Sequence, residues 1–64
     1  MNQILDMREK RVTLWNAAKA FLDSRRTEDG TLSVEDAGTY EKMEADVIRM
    51  GKEIERLERQ EVLD

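Results

Sequence analysis

Between Tyr40 and Leu57 the chain reads YEKMEADVIRMGKEIERL, with apolar residues at Tyr40, Met43, Val47, Met50, Ile54 and Leu57. Alternating steps of three and four residues are the a/d pattern of a helix that lays a continuous seam against other helices. No other stretch is as regular, and the remaining segments read as parts that serve this helix.

A chain of 64 residues is one small domain at most. At this size only about 60% of the unfolded surface is buried, so the core is marginal without disulfides, a structural metal or association. Cys and His are both absent, which removes disulfides and the common zinc sites. Oligomerisation or attachment to a larger body is left as the source of added stability. Charged residues make up 41% of the chain and Pro is absent, the balance of long helices and coiled coils. No apolar run approaches the ~20 residues needed to cross a bilayer. The opening MNQILDMREKR turns charged at Asp6, unlike a signal peptide. The expectation is an intracellular, soluble protein with no membrane partner. A net charge of -4 argues against bulk nucleic-acid binding, which requires a basic footprint.

Residues 2 to about 26 read as a first helix. At 100° per residue, Ile4, Met7, Leu14, Trp15, Ala18, Phe21 and Leu22 share one broad face, widened on one side by Leu5 and Val12. So wide a stripe suits a helix with more than one neighbour. Arg8, Arg11 and Lys19 fall within or beside it, their stems along the stripe and their charges toward water. The break comes at Thr27-Glu28-Asp29-Gly30-Thr31, where Asp-Gly marks a turn because Gly takes positive φ without steric cost. Ser33 has the place of an N-cap, with Asp36 three residues on and Leu32 placed to staple against Ala37. A second helix follows over residues 34 to about 63.

A connection of about six residues, 27–32, makes the helices antiparallel neighbours. Folding about Asp29-Gly30 sets Leu22 near Ala37 and Tyr40, Trp15 near Met43 and Val47, and Ile4 and Leu5 near Ile54. The end of the second helix then overhangs, leaving Val62 and Leu63 without a partner inside the hairpin. Charge favours the same pairing. Residues 1–26 carry a net charge of +3 and residues 33–64 a net charge of -5. The e and g positions flanking the seam of the second helix include no basic residue, so a parallel homodimer through that seam would set Glu53 against Glu58. The basic first helix is the better mate.

Gly51 stands mid-helix, where it costs about 1 kcal/mol relative to Ala. It reads either as a hinge or close-contact point or, on the packing argument, as a tolerated glycine beside a bulky residue of the first helix. Met43 and Met50 fit core better than an adaptable binding stripe, and Trp15 serves equally as core or as an interface anchor. The carboxylate pairs Glu41/Glu44 and Glu55/Glu58 have no His to complete a di-metal set. There is no phosphate-binding glycine loop and no nucleophile with a base. An enzyme, a cofactor and a metal are therefore not expected.

The runs AAKAFLDSRR (17–26), TEDGTLS (27–33), YEKMEADV (40–47) and GKEIERLERQ (51–60), in that order and spacing, resemble the N-terminal scaffolding segment, or delta domain, of tailed-phage major capsid proteins of the Hong Kong 97 fold group. The resemblance covers nearly the whole chain. It implies a coiled-coil-prone helical segment ahead of a capsid shell domain, acting as a built-in scaffold inside the procapsid in the host cytoplasm. It also implies later removal by a phage maturation protease, at a site near or beyond Asp64.

The sequence thus predicts an all-α chain: one antiparallel two-helix hairpin, coiled-coil-like, that associates with further copies into a helical bundle. Trp15, Phe21, Leu22, Tyr40, Val47, Met50, Ile54 and Leu57 are expected to pack within and between hairpins. A cellular coiled-coil adaptor unrelated to phage is the principal alternative, and an RNA-binding arm using the basic first helix is a weaker one.

Overall fold

Residues 2–64 are described by a computed structural model. Two helices account for nearly all of them: α1, Gln3–Arg25, of 23 residues, and α2, Val34–Leu63, of 30 residues. They pack against each other, and no strand occurs among the described residues. The pair is a rod of 51 × 18 × 14 Å. Its radius of gyration of 15.1 Å exceeds the roughly 11 Å of a globule this long, so most residues sit at or near the surface.

Each helix begins on a side-chain cap. Asn2 is extended at φ -99° and ψ 103°, and its Oδ1 accepts the Leu5 N–H at 3.1 Å. The sequence reading placed Asn2 inside the helix; it stands just outside and satisfies a donor that the first turn leaves open. Ser33 does the same for α2, its Oγ accepting the Asp36 N–H at 3.1 Å. Leu32 and Ala37, on either side of that cap, are both half-buried, as a hydrophobic staple requires. Acidic residues lie in both first turns, Asp6 in α1 and Glu35 with Asp36 in α2, where they favour the positive end of the helix dipole.

The connection is a compact, internally bonded turn. The Gly30 N–H donates to the Thr27 carbonyl at 2.9 Å, and the Thr27 N–H donates to the Thr31 carbonyl at 2.8 Å. Gly30 closes the turn at φ +84°, a left-handed conformation that a side chain would oppose. One Asp29 oxygen gathers the Thr27 hydroxyl, the Thr31 N–H at 3.1 Å and the Thr31 hydroxyl at 2.7 Å. Arg26 adds a bond to the Gly30 carbonyl at 2.9 Å.

Four residues form the buried core: Ile4 and Ala18 from α1, Val47 and Ile54 from α2. Around them the α2 seam is half-buried at Tyr40, Met43, Met50 and Leu57. The row of α1 toward α2 has the same step of three and four: Ile4, Met7, Arg11, Leu14, Ala18 and Phe21, all buried or half-buried except Arg11, which is exposed. Ala18 is fully buried, and its small side chain lets the helix axes approach. Only part of the broad α1 stripe therefore meets α2. Leu5 and Val12 remain 51% and 58% exposed, because they lie on the flank of α1 beyond the seam. Cross-helix contacts pair rising numbers in α1 with falling numbers in α2. The Arg8 guanidinium meets Glu58 at 2.6 Å, Arg11 reaches Val47 and Gly51, and Arg26, just past the end of α1, lies close enough to Tyr40 to act on its phenol.

The turn yields a pH test. Hydrogen bonds from Thr27, then from Thr31, hold the Asp29 carboxyl at about 2, below its ordinary 3.8. A depressed carboxyl pKa stabilises the fold above the unfolded value, and that contribution is lost as pH falls through the folded value. NMR titration is expected to find the Asp29 midpoint near 2, with Thr31 amide exchange accelerating over the same range. In Asp29→Asn that acceleration is expected to disappear.

Candidate self-association surface

One long side of the rod carries an open groove of about 720 Å³. Its α1 wall is formed by Arg8, Arg11, Val12 and Trp15, and its α2 wall by Glu44, Ile48, Gly51, Glu55 and Glu58. Both walls follow from helical spacing. Leu5, Arg8, Val12, Trp15 and Lys19 step by three and four along α1, next to its inward row. Glu44, Ile48, Gly51, Glu55, Glu58 and Val62 do the same along α2. Each helix thus has a second stripe, and the two stripes open on the same side.

The apolar members of these stripes are not covered. Trp15 is 37% exposed, Ile48 50% and Val12 58%. The charged members are sorted by helix, basic along α1 and acidic along α2. Arg8 and Glu58 bridge the groove at one end; both are well exposed, so the pair adds little stability. Lys19 rests its Nζ 5.6 Å from the centre of the Trp15 ring, a cation–π contact at an exposed site. Lys19, Glu44 and Glu55 make no ion pair among the described residues.

The groove floor explains Gly51. A Cβ there would lie 3.0 Å from Arg11 Nε and Nη2 and 3.1 Å from Cζ. The Arg11 guanidinium fills the space left by the missing side chain and donates from Nε to the Val47 carbonyl at 3.0 Å. Val47 lies four residues before Gly51, so its carbonyl already serves the helix; it accepts a second donor because no Cβ shields it. Gly51 is thus a close-contact point, and the bulky residue beside it is Arg11. Arg11 is a seam residue in position and a polar one in chemistry.

The expected packing residues separate into two groups. Val47 and Ile54 are buried; Phe21, Leu22, Tyr40, Met50 and Leu57 are half-buried. The Tyr40 hydroxyl donates to Glu44 Oε2 at 3.3 Å, and loss of water followed by the Glu44 charge raises its pKa. Arg25 covers the Phe21 ring at 5.5 Å. Trp15 stands apart on the groove wall. Sequence reasoning passed over Ile48 and left Val12 a minor member of the α1 stripe, although both follow from reading a second three-four row beside the first. Val62 and Leu63 are each 84% exposed.

No protein family, curated protein or solved structure matches the chain. Among the described residues no group of three or more His, Cys, Asp or Glu is placed to hold a metal ion, and no helix is long and apolar enough to cross a membrane.

The Arg11–Gly51 contact makes a double-mutant cycle informative. Ala at position 51 gains about 1 kcal/mol of helix propensity, but displaces a guanidinium hydrogen bond of similar or greater worth. Gly51→Ala is therefore expected to stabilise the Arg11→Ala protein by about 1 kcal/mol more than the native one. Denaturant unfolding of the four proteins measures this coupling.

Proposed function

We propose that the two helices form an antiparallel hairpin that self-associates into a helical bundle, and that this hairpin is a built-in assembly scaffold. In this reading it belongs to the precursor of a phage major capsid protein. It brings capsid subunits together in the procapsid, inside the host cell, and is later removed by a maturation protease. Its role is packing, with no chemistry, cofactor, nucleic acid or membrane involved.

The observation that carries the reading is the imbalance between a four-residue core and the apolar surface left open. Among the described residues Ile4, Ala18, Val47 and Ile54 alone are buried, while Leu5, Val12, Trp15 and Ile48 remain exposed along one flank. So small a core gains stability from a neighbour. The capsid assignment is supported by the ordered resemblance of residues 17–60 to the delta domain. A scaffold needs contacts weak enough to release, and tethering many copies to one shell raises their effective concentration enough for weak contacts to act. The charged walls suit this, since salt weakens their attraction and leaves the apolar contacts in place.

Sedimentation equilibrium of the chain tests self-association. Oligomers are expected at micromolar concentration, loosened but not abolished by salt, and a monomer throughout the high micromolar range would overturn the reading. The reading frame beyond Asp64 tests the capsid role. A capsid shell domain is expected there; a signalling domain would replace the scaffold with a cellular adaptor.

A further inference from the structure

We infer that the occupant of the groove is a second copy of this chain, docked about a two-fold axis parallel to the rod so that α1 of each copy lies on α2 of the other. The inference rests on the self-association reading and adds the face, the partner and the orientation.

The orientation follows from charge and height. Two copies meeting through the same face are related by a two-fold axis lying in the interface. An axis across the rod would lay α1 on α1, setting Arg8 and Lys19 against their own basic wall and the acidic walls against each other. An axis along the rod lays the basic wall of each copy on the acidic wall of the other, and opposite charge selects it. Rotation about that axis keeps every residue at its own height. The Arg11 contacts with Val47 and Gly51 and the Arg8–Glu58 pair set the heights to about one helical turn, and each step forward in α1 matches one step back in α2. Trp15 then falls near the height of Val47 and Ile48, Lys19 near Glu44, and Arg8 near Glu55 and Glu58, each to within about one turn, or 5.4 Å.

Docking therefore sets the Trp15 indole on Ile48 of the second copy, with Val12 beside it. Lys19 and Glu44 of opposite copies meet at one end of this apolar strip, and at the other Glu55 joins the Arg8–Glu58 pair of the opposite copy. Two-fold symmetry repeats each contact. The product is a four-helix bundle in which every helix runs antiparallel to both of its neighbours, the arrangement in which knobs-into-holes packing needs only short loops. Trp15 is the central anchor, an aromatic residue in an apolar strip ringed by charge, which is the usual anatomy of an interface hot spot.

Sedimentation equilibrium of the whole chain and its variants tests the face and the orientation separately. Ile48 is half-exposed within one copy, so Ile48→Glu is expected to keep the helical circular dichroism. It is expected to weaken dimerisation by at least about tenfold, as charge at an interface centre does. Lys19→Glu and Glu44→Lys are each expected to weaken it as well, and an equimolar mixture of the two is expected to recover a mixed dimer. If the native chain dimerises and Ile48→Glu dimerises equally well, the face is wrong while self-association stands. Should the variant lose helicity, the charge variants decide alone. A mixture that fails to associate overturns the α1-on-α2 orientation, and a native chain that stays monomeric overturns this inference and the self-association reading together.

Discussion

Everything in this molecule depends on one narrow seam between two helices. Steps of three and four residues place Tyr40, Met43, Val47, Met50, Ile54 and Leu57 on one line of α2. The facing row of α1 has the same step but is interrupted by Arg11. Because the rod is two helices thick, a side chain can be buried only on this line, and among the described residues just four are. The remaining apolar residues have no interior to enter. A third or fourth helix would supply one, which is why the wide stripe of α1 and the second row of α2 are consequences of the architecture.

The interruption at Arg11 has a local solution. A guanidinium in an apolar seam needs an acceptor and room, and Gly51 provides both by uncovering the Val47 carbonyl and leaving its own side-chain volume empty. Arg11 as a whole stays exposed, with only its guanidinium contact part-buried, and a polar residue placed on a seam serves in some proteins as a marker of register. Here the guanidinium occupies the space beside Gly51, the one position of this stretch of α2 without a Cβ.

The helical class and the packing of two helices on each other were legible in the sequence because heptad spacing and an Asp-Gly break are strong local signals. Less legible was how α1 divides its wide stripe. Periodicity shows how broad an apolar face is, but which part of it meets a neighbour depends on where the neighbour lies. Trp15 shows this. Its chemistry suggests a core residue, yet the inward line runs through Leu14 and Ala18 and leaves the indole on the groove wall. Arg11 was hidden for the opposite reason, since a charged residue in a seam looks like a flank until its acceptor is known. Ile48 was overlooked because the regular row beside it drew all the apolar residues of α2 into one seam.

The turn at Thr27–Thr31 bears on how copies can exchange parts. Two-helix units often open at the connection and swap a helix between chains, merging the arms into one long rod. In this chain that requires Gly30 to leave φ +84° and the Asp29 oxygen to release the Thr27 and Thr31 groups it holds. The turn therefore works against an exchange of helices between chains. A closed unit of this kind, if it met a second copy, could part from it again without unfolding.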